Sequence, residues 1–232
     1  MVVQQTMIEG RNLYKAYKGK AVLENASFRI EKGSITGLYG ENGCGKSTLS
    51  RILCGVVLPD AGEIRIDDTV LVSEKNPYNR KEGLTIQMVY QQPQTALDPS
   101  QKIGDGLREL IRFHRFASSA KERNRIIDEI ISDVGLERDI LNHLPSQISG
   151  GEAQRICIAR CLLFQPRLMI MDEATSMLDV STQANILGLI RRSVTNGERS
   201  VLFISHDRLL VERYCDRIYL MQNHYVKEEK RV

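Results

Sequence analysis

Apolar residues come in short runs broken by turn-forming residues through the first part of the chain, a pattern that predicts strands rather than helices. Met7–Leu13, Val22–Ile30 and Ser34–Tyr39 read as three strands. A glycine-rich turn follows Tyr39, and then Leu49, Ile52 and Leu53 recur at helical spacing. Pro59-Asp60-Ala61-Gly62 marks a turn, beyond which Glu63–Ile66 and Thr69–Val72 read as short paired strands and Ile86–Tyr90 as another strand.

The pattern changes at Pro93. From there to Gln147 the sequence is polar and helix-forming, and Ile103–Phe113 and Ser119–Val134 carry apolar residues at helical spacing. The remainder alternates: helix Gly151–Phe164, strand Leu168–Met171, helix Thr182–Val194, strand Val201–Ile204, helix Arg208–Tyr214 and a closing strand Arg217–Met221. Such alternation predicts an α/β fold with a largely parallel sheet, and the polar segment reads as a helical insert within it.

Composition narrows the class. The chain has 232 residues, with 32 basic against 29 acidic side chains and a net charge of +3. That near balance gives no basic face for nucleic acid. The charged tail Lys227–Arg231 is interrupted by Glu228 and Glu229 and reads as a solvated end. No stretch approaches the ~20 apolar residues that cross a bilayer, and Met1–Gly10 lacks the pattern of a signal peptide, so a cytoplasmic location is expected. Five cysteines with no CxxC pair argue against a disulfide framework or a zinc site. Cys157 and Cys161, four apart on an expected helix, read as small buried side chains.

Three motifs carry chemistry. Gly40-Glu41-Asn42-Gly43-Cys44-Gly45-Lys46-Ser47 fits G-x-x-x-x-G-K-[ST] between a strand and a helix. Glycines let the backbone amides turn toward phosphate oxygens; Lys46 would reach the β- and γ-phosphates, and Ser47 would ligate magnesium. Leu168–Met171 followed by Asp172 and Glu173 is an apolar strand ending in two acids. Beside a phosphate loop, Asp172 suits a magnesium held through water and Glu173 suits the polarisation of an attacking water. Adjacent residues of a strand point to opposite faces, which would let the two acids divide these roles. The third motif is Ile148-Ser149-Gly150-Gly151-Glu152. Ser149 and Glu152 match a capping box, but two glycines are poor residues for a first helical turn unless a phosphate must approach the backbone.

With these residues in place, the chain resembles an ABC-type ATPase across almost its entire length. Ile148–Glu152 resembles the signature LSGGQ, with Ile for Leu and Glu for Gln, continued by Gln154-Arg155 and Ile158-Ala159-Arg160. The resemblance implies a P-loop NTPase core of mainly parallel sheet (1–92 and 151–232) with an N-terminal antiparallel β subdomain and an inserted α-helical subdomain (93–150). It implies ATP and Mg²⁺ as ligands. Nucleotide contacts fall to Gly40 through Thr48 and to Tyr17, which resembles the aromatic that stacks on adenine, with Tyr14 as its rival. Gln91 resembles a glutamine that contacts magnesium, Asp179 a loop residue that communicates with the opposite subunit, and His206 a histidine on the γ-phosphate. Glu173, His206 and Lys46 are the expected catalytic set. Ser149, Gly150, Gly151 and Glu152 would face the ATP of a second subunit, either an identical copy or a sibling.

Exporters of this family commonly fuse membrane and ATPase domains, so the resemblance favours an importer with separate transmembrane permease subunits and membrane association through them. Gln91–Pro99 and Asp172–Gln183 resemble the peptide and nickel importers, leaving peptides, nickel and metal chelates as cargo. Many members of that group carry a C-terminal extension that this chain does not show. The alternative is a non-transport ABC ATPase of DNA repair or translation. Cys44 sits in the phosphate cradle near a helix N-terminus, where thiols tend to be reactive, or it is merely a small residue tolerated there. Alkylation of Cys44 is expected to inhibit ATP hydrolysis and bound ATP to protect, read by activity against mass-verified modification.

Overall fold

The computed structural model describes residues 5–195 and 199–229. Its elements lie close to those expected from the apolar pattern. β1 (Thr6–Tyr17), β2 (Lys20–Glu31), β4 (Ala61–Ile66) and β5 (Thr69–Ser73) form an antiparallel sheet in the order β2-β1-β4-β5. β3 (Ile35–Tyr39), β6 (Ile86–Val89), β7 (Leu168–Asp172), β8 (Ser200–Ser205), β9 (Arg217–Gln222) and β10 (Tyr225–Glu229) form a second sheet, ordered β10-β9-β3-β8-β7-β6. β3, β7 and β8 are buried along their entire lengths, which explains why they read as continuous apolar runs rather than alternating ones.

The chain divides into two compact units. One comprises Met1–Met88, Pro166–Glu173 and Arg191–Val232; the other comprises Val89–Gln165 and Ala174–Ile190. In the first, a single core joins both sheets: Ile8, Leu23 and Ile64 pack with Leu38, Ile170 and Leu202, and with Leu49, Ile52 and Leu53 of α1 (Lys46–Leu53). A short helix, α2 (Arg80–Gly83), lies among these elements and escaped the sequence pattern because none of its residues is buried. In the second unit, α3 (Ile103–Phe113), α4 (Ala120–Asp133) and α5 (Gly150–Leu163) contact one another and bury Leu107, Ile111, Ile127, Ile131 and Ile156. α6 (Val180–Val194) begins in the second unit and ends in the first, and α7 (Arg208–Tyr214) packs on β3 and β8. Cys157 and Cys161 are both buried, and the Cys157 thiol lies 3.5 Å from the Pro93 carbonyl.

Two expectations need correction. β9 does not close the series, and Lys227–Glu229 are not a solvated end. They belong to β10, which pairs antiparallel with β9, setting Lys227 opposite Leu220 and Glu229 opposite Ile218. An edge strand needs no apolar face, and its charges are used: Arg217 pairs with Glu228. The rest of the expected tail, residues 230–231, lies outside the described residues.

Gly37 marks where α7 approaches β3 most closely. A Cβ there would lie 2.3 Å from Val211 Cγ1 and 2.8 Å from Cys215 Sγ. Gly37→Ala is therefore expected to lower stability by about 2 kcal/mol through overpacking, seen as a lower urea midpoint at unchanged m-value.

Candidate nucleotide-binding site

Three parallel strands end together at one edge of the six-stranded sheet. Tyr39 of β3 lies opposite Ser205 of β8, and Asp172 of β7 opposite Ile204 of β8. Gly40, Glu173 and His206, the residues that follow these strands, therefore emerge beside one another at the carboxyl edge, where open α/β sheets bind ligands.

The turn after β3 depends on glycine at two points. A Cβ on Gly40 would lie 2.2 Å from the Met221 carbonyl oxygen, and Gly45 takes φ +118°, closed to other residues. Gly45 then caps α1 without a side-chain hydrogen bond, and the Thr48 amide donates to the Gly45 carbonyl oxygen at 2.9 Å; the open helix N-terminus favours an anion. Lys46 is buried, and its Nζ donates to the carbonyl oxygens of Gly40 (2.7 Å) and Glu41 (2.9 Å), so the ammonium spans the loop. Cys44 is partly buried and lines a cavity with Gly40, Glu41 and Asn42.

Asp172 is the last residue of β7 and is buried. Burial pushes its carboxyl above the ordinary aspartate range, opposed by hydrogen bonds from Ser47 and Ser50. Ser50 Oγ lies 3.1 Å from the Asp172 carboxylate and 3.1 Å from the Ser47 carbonyl oxygen. Motif reasoning passes over Ser50. Its signal was a serine three residues beyond Ser47, on the inner face of α1. Glu173 lies outside the strand, so alternation does not set its direction. It takes φ 50°, a left-handed conformation rare for glutamate, and its amide donates to the Ile204 carbonyl. That turn brings its carboxylate within 3.5 Å of His206 Nδ1. Tyr17 and Tyr14 on β1 are about equally exposed, 41% and 39%, and the Lys15 ammonium lies 5.5 Å from the Tyr17 ring centre.

The remaining expected residues lie in the second unit. Ser149 caps α5 by a reciprocal box: its Oγ accepts from the Glu152 amide (3.2 Å), and its own amide donates to Glu152 Oε2 (2.8 Å). These bonds hold the Glu152 carboxyl below its ordinary range. Among the described residues nothing sterically requires the glycines that follow. A Cβ on Gly150 or Gly151 would meet its nearest neighbour at 3.5 Å, an ordinary contact. Asp179 accepts from the hydroxyls of Ser181 (2.6 Å) and Thr182 (2.7 Å), which hold its carboxyl well below the usual carboxylate range. Gln91 is exposed in the bend after β6.

Comparison with known proteins agrees with this geometry: residues 23–176 match the ABC transporter family. The chain belongs to that family. It is 36% identical over 216 residues to the nickel import ATP-binding protein NikE of Escherichia coli O157:H7, covering 93% of this chain and 80% of that protein. The NikE of Shigella dysenteriae gives the same identity and coverage. Among solved structures, the ATP-binding cassette MJ0796, a dimer in a post-hydrolysis state with ADP and Pi, superposes with a TM-score of 0.84 at 30% identity. That match covers 97% of this chain and 99% of the other.

The ABC fold and these side chains together mark the chain as an ATPase. Its donor set suits a hard divalent cation: the Asp172 carboxylate and the Ser47 hydroxyl offer oxygen only. Among the described residues no group of three or more His, Cys, Asp or Glu could hold a metal ion.

The raised Asp172 pKa has a sign. Because the folded value lies above the unfolded one, the group favours folding in acid and opposes it as pH rises through the folded value. In protein free of nucleotide and divalent ions, Asp172→Asn is expected to be more stable than wild type at neutral pH. The gain should fade toward about pH 4, as urea titrations across pH would reveal.

Proposed function

We propose that this chain is the ATP-hydrolysing subunit of an importer, acting as one of two nucleotide-binding subunits attached to separate permease subunits at the cytoplasmic face of a membrane. The observation that carries the proposal is the convergence of the Gly40–Ser47 loop, Asp172, Glu173 and His206 at one sheet edge. The two glycines after Ser149, which nothing among the described residues requires, support a partner's phosphates as the reason for them. In this reading the loop amides from Gly40 to Thr48 and the Lys46 ammonium bind the phosphates of ATP, and Tyr17 stacks on the adenine.

Ser47, Asp172 and Gln91 would hold Mg²⁺, which would supply positive charge against the phosphate oxygens. Glu173 orients and polarises the attacking water, and His206 donates to the terminal phosphate from the Glu173 side of the site. Ser149, Gly150, Gly151 and Glu152 of one subunit complete the site of the other, and Asp179 links the two. Closure then places donors around charge that develops during hydrolysis, with little covalent work for the protein.

The second unit is the part that meets the permease. It carries a cavity of about 250 Å³ lined by Leu97, Leu107, Leu110, Phe113 and Phe164, with Phe113 79% exposed at its side. Asp98, Lys102, Glu109 and Arg160 also line it, so the recess offers a partner's side chains both apolar and charged contacts. No helix among the described residues is long and apolar enough to cross a membrane, in keeping with a separate permease. The similarity to NikE favours nickel as cargo. Peptides or metal chelates fit the same reading through the Gln91–Pro99 and Asp172–Gln183 stretches.

Hydrolysis per subunit is expected to rise with protein concentration and to require Mg²⁺. Glu173→Gln should slow turnover at least about a hundredfold while trapping an ATP-dependent dimer on size exclusion. A variant that turns over normally, or ATP that neither binds nor dimerises the protein, would overturn the proposal.

A further inference from the structure

Beyond the Glu173 carboxylate at 3.5 Å, the His206 ring stands largely in the open. Its side chain is 58% exposed, and the turn that carries it borders a cavity of about 520 Å³ shared with Gly40, Glu41 and Asn42 of the phosphate loop. Packing on that side does not fix the turn. A side chain that must meet a phosphate oxygen needs fixing, because a displacement of about 1 Å can cost up to about a hundredfold in rate.

The structure supplies a polar clamp. Arg208, two residues beyond His206, opens α7. Its guanidinium carbon lies 5.6 Å from the centre of the Tyr39 ring, a cation–π arrangement. Its Nε donates to Glu212 Oε1 at 2.7 Å, and a terminal nitrogen lies 3.8 Å from Glu229 Oε2. The same Glu229 carboxylate accepts a short hydrogen bond from the Tyr39 hydroxyl. Tyr39 is buried at the end of β3 and immediately precedes Gly40. Arg208 thus ties the start of α7 to the strand that launches the phosphate loop, with the edge strand β10 as third anchor. Burial and the Glu229 carboxylate push the Tyr39 phenol up to about 12, so the clamp keeps its proton throughout the working pH range.

We propose that Arg208, held by Tyr39 and Glu229, is a positioning residue that sets His206 against the phosphate loop for hydrolysis. It touches no reacting atom and acts through the backbone of the His206–Asp207 turn. That turn is braced from within by the Asp207 amide, which donates to Ser205 Oγ at 3.0 Å, and by Asp207 Oδ1, which accepts from the Leu209 and Leu210 amides. The Arg208 clamp adds the connection from this turn to the neighbouring strand. The inference rests on the reading of His206 given above.

The test is a double-mutant cycle on the full chain, with single-turnover rates measured at excess enzyme so that slow variants remain measurable. Arg208→Ala should lower the hydrolysis rate roughly tenfold, with ATP affinity and melting temperature close to wild type. Tyr39→Phe, which keeps the ring and loses only the hydroxyl, should fall between the two. In a His206→Ala background, Arg208→Ala should have no further effect, because the group being positioned is gone. An unchanged rate for Arg208→Ala, or an equal loss with and without His206, would overturn the inference while leaving the ATPase reading intact. A His206→Ala variant that hydrolyses ATP at the wild-type rate would overturn the reading of His206 and the inference with it.

Discussion

The constraint on which the site depends is the register of β3, β7 and β8. Parallel pairing sets Tyr39 beside Ser205 and Asp172 beside Ile204, so three chain segments far apart in sequence leave the sheet within one residue of each other. The strands are held there by burial on both faces, and Leu38, Ile170, Leu202 and Ile204 belong to a single core. A one-residue slip in any of these strands would invert its inward and outward side chains and displace a ligand-facing residue. Core packing and site assembly are therefore one and the same requirement in this unit.

The site itself works against stability. Asp172 is buried where its charge is disfavoured. Glu173 sits in a backbone region that costs an L-residue roughly 1–2 kcal/mol. α1 begins without a side-chain cap, and α5 begins with two glycines where alanine would favour the helix. Each of these departures falls on a residue that the proposed function assigns to the phosphates, the cation or the water. Departures of this kind are where function outweighs local preference.

Much of this was legible in the sequence. Apolar runs located β3, β7 and β8, and helical spacing gave Ile103–Phe113 to the residue. The Gly40–Ser47 motif and the Ser149 box describe local geometry that short-range sequence encodes directly. What escaped reading depends on distant partners. β10 is polar because it is an edge strand, and only its pairing with β9 distinguishes it from a solvated tail. Ser50, Tyr39, Arg208 and Glu229 acquire their meaning from residues up to 190 positions away in the chain, a separation no local pattern records. Exposure does not separate Tyr17 from its rival Tyr14, since both rings stand open to solvent.

The left-handed backbone at Glu173 bears on how pairs of unequal cassettes arise. Glycine, asparagine and aspartate enter this conformation most readily, and β-branched residues are strongly disfavoured. A duplicated copy released from selection for hydrolysis would thus drift along a narrow route, replacing glutamate by short residues that relieve the strain while leaving the nucleotide pocket formed. With Glu173 in its proposed role, loss of turnover in such a copy would come with a gain in stability, so a silent sibling would be easier to keep folded than the working one.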